Sequence, residues 1–368
     1  MSRTDRIAAP IMSTYRYFGA LRFMLASLVM FQHFAASIAP LYFTERVQPY
    51  EPGSLAVLVF FCLSGFVISE AIDLAYLKKP IAFLSNRCLR ILPHFVIALG
   101  LSVAVHYYFS EVGSLVVARA TPPPLENIFT ANNLLSNLLS IIPSTHGDSA
   151  HSYRFIPIVW AVRVEVAYYL VVFLVLAASW LPLFRARTDF RKLLGAAFVM
   201  LLPLFGLALA GKIPHLFVYL PYFSLGTALY FATPERMMPK FVIASSAVLI
   251  LVQFLSMPRY HPVVGFERAV ITQLVMLATG IGAVGILSRV QGTSFAKFDS
   301  VLGKFTYPLY LYHYVLLIVM MSLKVPATAS TFIAGMLIAT VGAIILSLAV
   351  DPMVDRLRDK VRGRRIAA

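Results

Sequence analysis

The sequence is poor in charge and in cysteine. Of its 368 residues, 13% are charged and 60% are hydrophobic, and this charged share is about half of that usual in soluble domains. Two cysteines, Cys62 and Cys88, form neither a disulfide framework nor the closely spaced pairs of a zinc site. A soluble fold and a disulfide-rich scaffold are therefore disfavoured, and the excess of apolar residues indicates a membrane protein.

Motifs of several enzyme classes are also missing. The sequence has no HExxH, no paired CxxC, no P-loop and no glycine-rich Rossmann turn, so neither a metal nor a nucleotide-binding domain is predicted. The net charge of +15 does not by itself indicate nucleic-acid binding, because basic residues collect in the cytoplasmic loops of membrane proteins. No cleavable signal peptide is expected, since the first apolar segment contains Arg22 and further spans follow it.

Long apolar segments predict an all-α bundle of about ten transmembrane helices. Each segment is about as long as a bilayer requires. The predicted spans are 18–40, 54–74, 91–109, 157–181, 194–211, 214–232, 241–257, 269–287, 307–323 and 329–350. The fifth and sixth are the least well separated, because little more than residues 212–214 joins them.

The distribution of basic residues predicts the orientation. Ten spans place both termini on one side, where 22 of the 31 lysines and arginines fall, against 7 on the other side. This bias places both termini in the cytoplasm. We expect a single integral-membrane domain over residues 1–368, with a short basic tail at about 352–368 that faces lipid headgroups.

Two ionisable residues lie inside the first span. Arg22 and His33 are eleven residues apart, which places them on one helix face and about 16 Å apart along the axis. Ionisable groups at this depth are costly and usually functional. We predict that His33 transfers protons in catalysis; a histidine bonded to a neighbouring carbonyl is the alternative.

Glu165 is the second catalytic candidate. If Trp160 lies in the outer aromatic belt, Glu165 reaches a depth similar to that of His33. A carboxylate beside an imidazole would fix the tautomer and stabilise the imidazolium. An ion pair with Arg163 is the alternative, but residues at i and i+2 lie on nearly opposite helix faces, and Arg163 can extend to the outer interface.

Candidate ligand contacts occur on two further segments. Arg87 and Arg90 share one helix face near the cytoplasmic side, and together with Arg22 they could hold phosphates. Positive-inside anchoring is the alternative for this pair. Ser64 and Gly65 lie in the middle of the second span, where small residues allow either close helix packing or the passage of a thin ligand chain.

The ninth span carries a polar-tipped stripe. Tyr307, Tyr310 and His313 recur every third residue near its predicted cytoplasmic entry. Tyr310 and His313 are candidate ligand contacts, and an interfacial aromatic belt is the alternative. No role is predicted for the remaining histidines, which are His94, His106, His146, His151, His215 and His261.

Taken together, these segments resemble acyltransferase family 3, the polytopic O-acyltransferases that modify bacterial surface glycans. The resemblance rests on six segments: Arg22 with His33, FFCLSGF at 60–66, Arg87 and Arg90 with Pro93, WAVRVE at 160–165, FSLGTALY near Gly226, and 307–313. Two positions depart from the family's fourth motif, because Ala161 replaces the usual small hydroxyl residue and Arg163 adds an unusual charge.

The resemblance implies transfer of an acyl group, acetyl being the commonest in the family, from cytoplasmic acyl-CoA to a hydroxyl of a surface or lipid-linked glycan. It implies a multi-pass protein of the inner (plasma) membrane with no metal cofactor. His33 and Glu165 would be catalytic. The residues expected to contact the donor are Arg22, Arg87, Arg90, Ser64, Gly65, Tyr310 and His313. Both direct transfer and an acyl-enzyme on His33 fit.

The sequence also allows predictions about binding partners and leaves two alternative functions. Expected partners are membrane lipid, the glycan acceptor and glycan-assembly proteins, but not nucleic acid. Larger relatives carry an additional esterase-like domain, so a protein that supplies such a step here would be separate. The first alternative function is a proton-coupled transporter, in which a His–Glu pair relays protons and a basic vestibule admits an anion. The second is a scaffold of a glycan-assembly complex.

Overall fold

The computed structural model describes residues 16–116, 125–143, 153–178, 202–232, 237–256, 266–290, 292 and 294–362. Every long element within them is an α-helix, so the predicted all-α class is confirmed. The long helices are α1 (Gly19–Ile38), α2 (Pro52–Ala71), α3 (Pro80–Glu111), α4 (Val159–Ala178), α5 (Leu220–Phe231), α6 (Met237–Ser256), α7 (Phe266–Leu287), α8 (Ala296–Ser322) and α9 (Ala329–Arg362).

Among the described residues, eight helical segments are long and apolar enough to cross a membrane. They correspond to all the predicted spans except the fifth and the sixth. The sixth is a 3-10 helix, His215–Tyr219, followed by the 12-residue α5. The fifth begins outside the described residues, and its described part is helical over 202–209. The protein is therefore a multi-pass α-helical membrane protein.

Several helices are longer than the apolar runs that predicted them. The third span begins at Pro80 rather than at residue 91, and the ninth begins at Ala296 rather than at residue 307. The last helix continues through Pro352 to Arg362, so the described part of the basic tail extends α9. We call the side at which α1, α3 and α8 begin the basic face, and the sequence predicts that it is cytoplasmic.

Two helix N-termini are capped by side chains of neighbouring helices. The Asp299 carboxylate of α8 accepts hydrogen bonds from the backbone N–H groups of Gly19, at 2.7 Å, and Ala20, at 2.8 Å. The Gln32 side chain of α1 accepts a hydrogen bond from the Gly53 N–H at the start of α2, at 2.6 Å. Because the first N–H groups of a helix have no intrahelical partner, these contacts fix α1 against α8 and α2.

Burial distinguishes central helices from peripheral ones. Most of the apolar window of α2 and of α8 is buried, whereas α6, α7 and α9 are largely exposed. Large apolar side chains such as Phe241, Val275 and Leu348 point outward from these three helices. Since lipid is as apolar as these side chains, the peripheral helices face the membrane and the central ones hold the interior in which a site can form.

Two glycines let α2 and α5 pack backbone against backbone. A Cβ atom at Gly65 would collide with the carbonyl oxygen of Phe223, and one at Gly226 would collide with the carbonyl oxygen of Cys62. Small residues of this kind are what close helix contacts in membranes require. The packing interpretation of Gly65 is thus supported by the structure.

Replacing Gly226 with alanine is expected to destabilise the fold by about 3 kcal/mol, because the added methyl group overpacks the contact with α2. The measurement is thermal melting of the detergent-solubilised protein, followed by fluorescence-detected gel filtration. Gly100→Ala is the matched control, because Gly100 lies in a helix with no heavy atom within 4 Å of an added Cβ. Equal melting temperatures for the two variants would contradict this account of the contact.

Candidate functional site

A cavity of about 80 Å³ lies between α1, α2, α3, α4 and α8. Four of its described lining residues are charged, namely Arg22, Arg87, Arg90 and Glu165. Ser64 also lines the cavity and donates a hydrogen bond to Glu165. Most of the remaining wall is apolar, and it includes Val57, Phe60, Phe61, Leu63, Val67, Ile91 and Val162. The structure thus brings the three arginines together, as the sequence predicted, and we refer to this space as the arginine cavity.

The charges of the arginine cavity are not balanced. The guanidinium of Arg22 interacts electrostatically with Arg90, Glu165 and Arg87. Among the described residues that line the cavity, Glu165 is the one carboxylate facing three guanidiniums, which leaves a net charge of about +2 at neutral pH. Buried charge is costly unless it is paired, so the cavity is suited to an anion.

Arg87 is a buried arginine whose guanidinium is only partly paired within the protein. It is buried, with 5% of its surface exposed, and its guanidinium carbon lies 5.5 Å from the ring centre of Phe83 and 5.6 Å from that of Tyr169. Its buried Nε has no hydrogen-bond partner among the described residues. Aromatic faces stabilise a guanidinium only in part, so a donor group remains available to a ligand.

Glu165 belongs to the arginine cavity and does not contact His33. Its Oε1 accepts hydrogen bonds from Ser64 Oγ, at 3.1 Å, and from the Tyr169 hydroxyl, at 2.6 Å. His33 instead contacts His313. The contact expected between the predicted catalytic pair is therefore absent from the described structure, and this part of the sequence interpretation is corrected.

The physical reason lies in the depth of α4. The ring of Trp160 packs on Phe61, with ring centres 6.3 Å apart, and Phe61 lies near the middle of α2. Trp160, with 39% of its surface exposed, thus lies at the level of the middle of α2 and not in an outer aromatic belt. Glu165 lies five residues further along α4, about 7.5 Å closer to the basic face, and so reaches the arginines.

The segment before α4 carries the helix inward. The Asn137 side chain donates a hydrogen bond to the Tyr153 carbonyl at 2.8 Å and accepts one from the Phe155 N–H at 3.0 Å. Ser102 Oγ donates to the Phe155 carbonyl at 2.8 Å, and His106 Nε2 lies 2.7 Å from the Tyr153 hydroxyl. Because these backbone groups find partners inside the protein, the segment is held within the bundle.

His33 forms a pair with His313, on α1 and α8. His33 Nδ1 lies 3.1 Å from His313 Nε2, and the ring planes are inclined by 18° with centres 5.3 Å apart. His313 is fully buried, and its Nδ1 lies 2.9 Å from the Leu309 carbonyl oxygen. His313 was expected near the entry of its helix, but α8 begins eleven residues earlier than predicted, so His313 lies in its interior.

The histidine pair and the arginine cavity are adjacent but separate. Neither His33 nor His313 lines the cavity. The face of α1 between Arg22 and His33 is packed, with Ala26, Val29 and Met30 all buried. Tyr310 connects the two regions, because it lines the cavity and its ring centre lies 6.4 Å from that of His313. Its hydroxyl donates to the Ile158 carbonyl at 2.7 Å.

The structure also shows the surroundings of Gly65, Arg163 and Tyr307. Gly65 does not line the arginine cavity and packs on α5, so its expected ligand contact is not carried forward. Arg163 Nε donates to the Ser140 carbonyl at 2.6 Å, which agrees with the predicted extension away from Glu165. Tyr307 lines the cavity and donates to the Ile91 carbonyl at 3.2 Å, so two members of the predicted stripe reach the site.

One polar cluster was missed from the sequence. His94 Nε2 lies 2.8 Å from Asp351 Oδ1, and His94 Nδ1 lies 3.1 Å from the Tyr312 hydroxyl, while Ser347 donates to the same carboxylate. An aspartate directly after the last predicted span, 329–350, was the available signal. The cluster joins α3, α8 and α9 and does not line the arginine cavity. Within the described residues, no group of three or more His, Cys, Asp and Glu residues could hold a metal ion.

Replacing Glu165 with glutamine is expected to destabilise the protein by about 3 kcal/mol at neutral pH, because the three guanidiniums of the cavity, of which that of Arg87 is buried, then lack a counter-charge. Thermal melting with and without pyrophosphate measures the effect, and added pyrophosphate is expected to recover much of the loss. Asp355→Asn is the control, since the partly exposed Asp355 pairs with Lys304 and Arg358 at the surface and such pairs contribute about 1 kcal/mol or less. Equal losses for both variants would contradict this view of the cavity.

The model of a protein family described as an acyltransferase domain matches residues 15–350. No curated protein and no solved structure matches the chain significantly. The matched range contains the arginine cavity and the histidine pair.

Proposed function

The chain belongs to acyltransferase family 3, and from this premise we propose that it transfers an acyl group, acetyl in the first instance, from cytoplasmic acyl-CoA to a hydroxyl of a surface or lipid-linked glycan. The family supports acyl transfer in general; the CoA donor, the oxygen acceptor, the glycan and the inner-membrane location belong to the proposal. The family match does not favour a proton-coupled transporter, and no contact in the described residues favours one either.

The observation that carries the proposal is the convergence of Arg22, Arg87 and Arg90 on one cavity whose described lining residues include a single carboxylate. Coenzyme A carries a pyrophosphate and a 3′-phosphate, and planar guanidinium forks match phosphate oxygens well. We assign these three arginines to the phosphates of the donor. Glu165 holds Ser64 and offsets part of the cationic charge while the cavity is empty.

The distance from the arginines to the histidine pair suits a long donor. Arg22 and His33 are about 16 Å apart along α1, too far for one small group to reach both. The pantetheine arm of CoA bridges such a distance, and the apolar wall formed by Phe60 and Phe61 suits its chain. Its end has to pass Tyr310, and releasing the Tyr310 hydrogen bond costs about 1 kcal/mol.

The proposed chemistry uses His33 as the general base. The acceptor hydroxyl gives its proton to an imidazole nitrogen of His33 while its oxygen attacks the thioester carbonyl. The new C–O bond forms, the C–S bond breaks, and the leaving thiolate takes the proton back from His33. The products are an ester and free CoA. An acyl-enzyme on His33 would differ by leaving labelled protein when the acceptor is omitted.

The proposal is tested with purified protein in lipid nanodiscs, supplied with isotopically labelled acetyl-CoA and surface glycan from a strain that lacks the protein. Mass spectrometry of the glycan is expected to show an acetyl-sized increase, with stoichiometric release of free CoA. Absence of both the labelled glycan and CoA release, in protein that still binds CoA, would overturn the proposed reaction. An added mass other than acetyl would revise the donor.

A further inference from the structure

We propose that His313 is a positioning residue that holds His33 in the tautomer with a free Nε2, the nitrogen that then takes the acceptor proton. This inference rests on the proposed role of His33 as the base. It replaces the expectation that His313 contacts the donor, because His313 does not line the arginine cavity.

Hydrogen-bond direction carries the argument. A backbone carbonyl can only accept, so the 2.9 Å contact with the Leu309 oxygen requires a proton on His313 Nδ1. In neutral His313, Nε2 then has no proton and can only accept. Its partner 3.1 Å away, His33 Nδ1, must therefore donate. A neutral His33 that carries its proton on Nδ1 presents an unprotonated Nε2, as a base requires.

The apolar surroundings of the pair explain why a neutral imidazole, and not a carboxylate, positions His33. Aromatic rings approach the pair: that of Tyr314 lies 6.4 Å from His33, and those of Phe34 and Tyr310 lie 6.5 and 6.4 Å from His313. In the described residues, the two rings hydrogen-bond to each other and to backbone groups, namely Val29 for His33 and Leu309 and Tyr310 for His313, and to no carboxylate. A charged partner in this apolar setting would carry a large desolvation cost, whereas two neutral imidazoles satisfy each other without one.

The chain contains a second histidine with this local geometry. His106 has the same local arrangement, with Nδ1 2.6 Å from the carbonyl of Ser102, four residues earlier, and Nε2 2.7 Å from the Tyr153 hydroxyl. It is also fully buried. His106 belongs to the contacts that hold the segment before α4, away from His33, so it shares the packing of His313 without its proposed role.

The kinetic test compares three variants in the acyl-transfer assay. His313→Leu is expected to lower kcat about 100-fold with KM for acyl-CoA unchanged. His313→Gln places an amide oxygen near the former Nε2 and is expected to recover about tenfold of that loss. His215→Gln, which changes an exposed histidine remote in sequence from either centre, is expected to keep the wild-type kcat. Wild-type kcat in His313→Leu, or equal losses in both His313 variants, would overturn the inference.

A spectroscopic test is independent of turnover. In protein labelled with ¹⁵N-histidine, with the His33 signals assigned by their loss in His33→Gln, neutral His33 is expected to carry its proton on Nδ1 in the wild type and to shift toward the Nε2 form in His313→Leu. A wild-type His33 protonated on Nε2 would overturn the inference even if acyl transfer is observed. If no acyl transfer is observed, the proposed function fails, and the tautomer measurement still tests the pair.

Discussion

His33→Ala is expected to lower kcat for acyl transfer by about 10²- to 10⁴-fold, the range usual for loss of a general base, while KM for acyl-CoA stays near its wild-type value. We expect kcat to fall without a change in KM because His33 lies far from the groups that bind the donor. The phosphates of the donor are assigned to arginines about 16 Å from His33 along α1, so removal of the imidazole leaves the main binding contacts intact. A loss confined to kcat is characteristic of an interaction made only during reaction.

The His33 experiment compares variants at matched membrane abundance. His215→Ala is the control, because His215 is exposed in a 3-10 helix remote in sequence from either centre, and it is expected to behave as wild type. Near-wild-type turnover in His33→Ala would eliminate His33 as the base. A rise in KM with unchanged kcat would place His33 in donor binding and not in chemistry.

Arg87→Gln and Arg90→Gln are each expected to raise KM for acyl-CoA about 10- to 100-fold, because each removes a charged hydrogen-bonding partner of about 1.5–3 kcal/mol. The same variants are expected to melt at an equal or higher temperature in the absence of ligand. The described residues that line the cavity include three arginines and one glutamate, so removal of one cation relieves repulsion. Opposite effects on binding and on stability are the signature of a site that is electrostatically incomplete without its ligand.

Initial rates over a range of acyl-CoA concentrations and melting curves without ligand measure the two effects. Arg289→Gln is the control, because Arg289 is exposed and lies on the same predicted side of the membrane. It should change neither quantity. Wild-type KM in both cavity variants, or lower melting temperatures together with wild-type KM, would show that Arg87 and Arg90 act in folding or membrane anchoring only.

The parts of the site that lie within one helix could be predicted from the sequence. Spacing along α3 places Arg87 and Arg90 on one face, and the basic residues at the start of α1 and α3 predict that Arg22 lies near them. The apolar runs predict the helical class because, in lipid, the backbone N–H and C=O groups have to form their hydrogen bonds within each helix.

The parts that depend on relative helix depth could not be predicted. Trp160 is a typical interfacial residue by type, but the contacts of Asn137 and Ser102 with the preceding segment draw α4 inward. The histidine pair depends on the register between α1 and α8, which the Asp299 cap fixes at the basic face. These contacts join residues distant in sequence, so neither helix by itself reveals that His33 and His313 meet.

The most direct test of the account is a structure of the protein bound to a non-hydrolysable thioether analogue of acetyl-CoA, determined by electron cryo-microscopy in lipid nanodiscs. The account predicts that phosphate oxygens lie within hydrogen-bonding distance of Arg22, Arg87 and Arg90, and that the acyl carbonyl lies beside His33 Nε2, past Tyr310. An analogue whose phosphates bind outside the arginine cavity, or whose acyl end points away from the histidine pair, would contradict it.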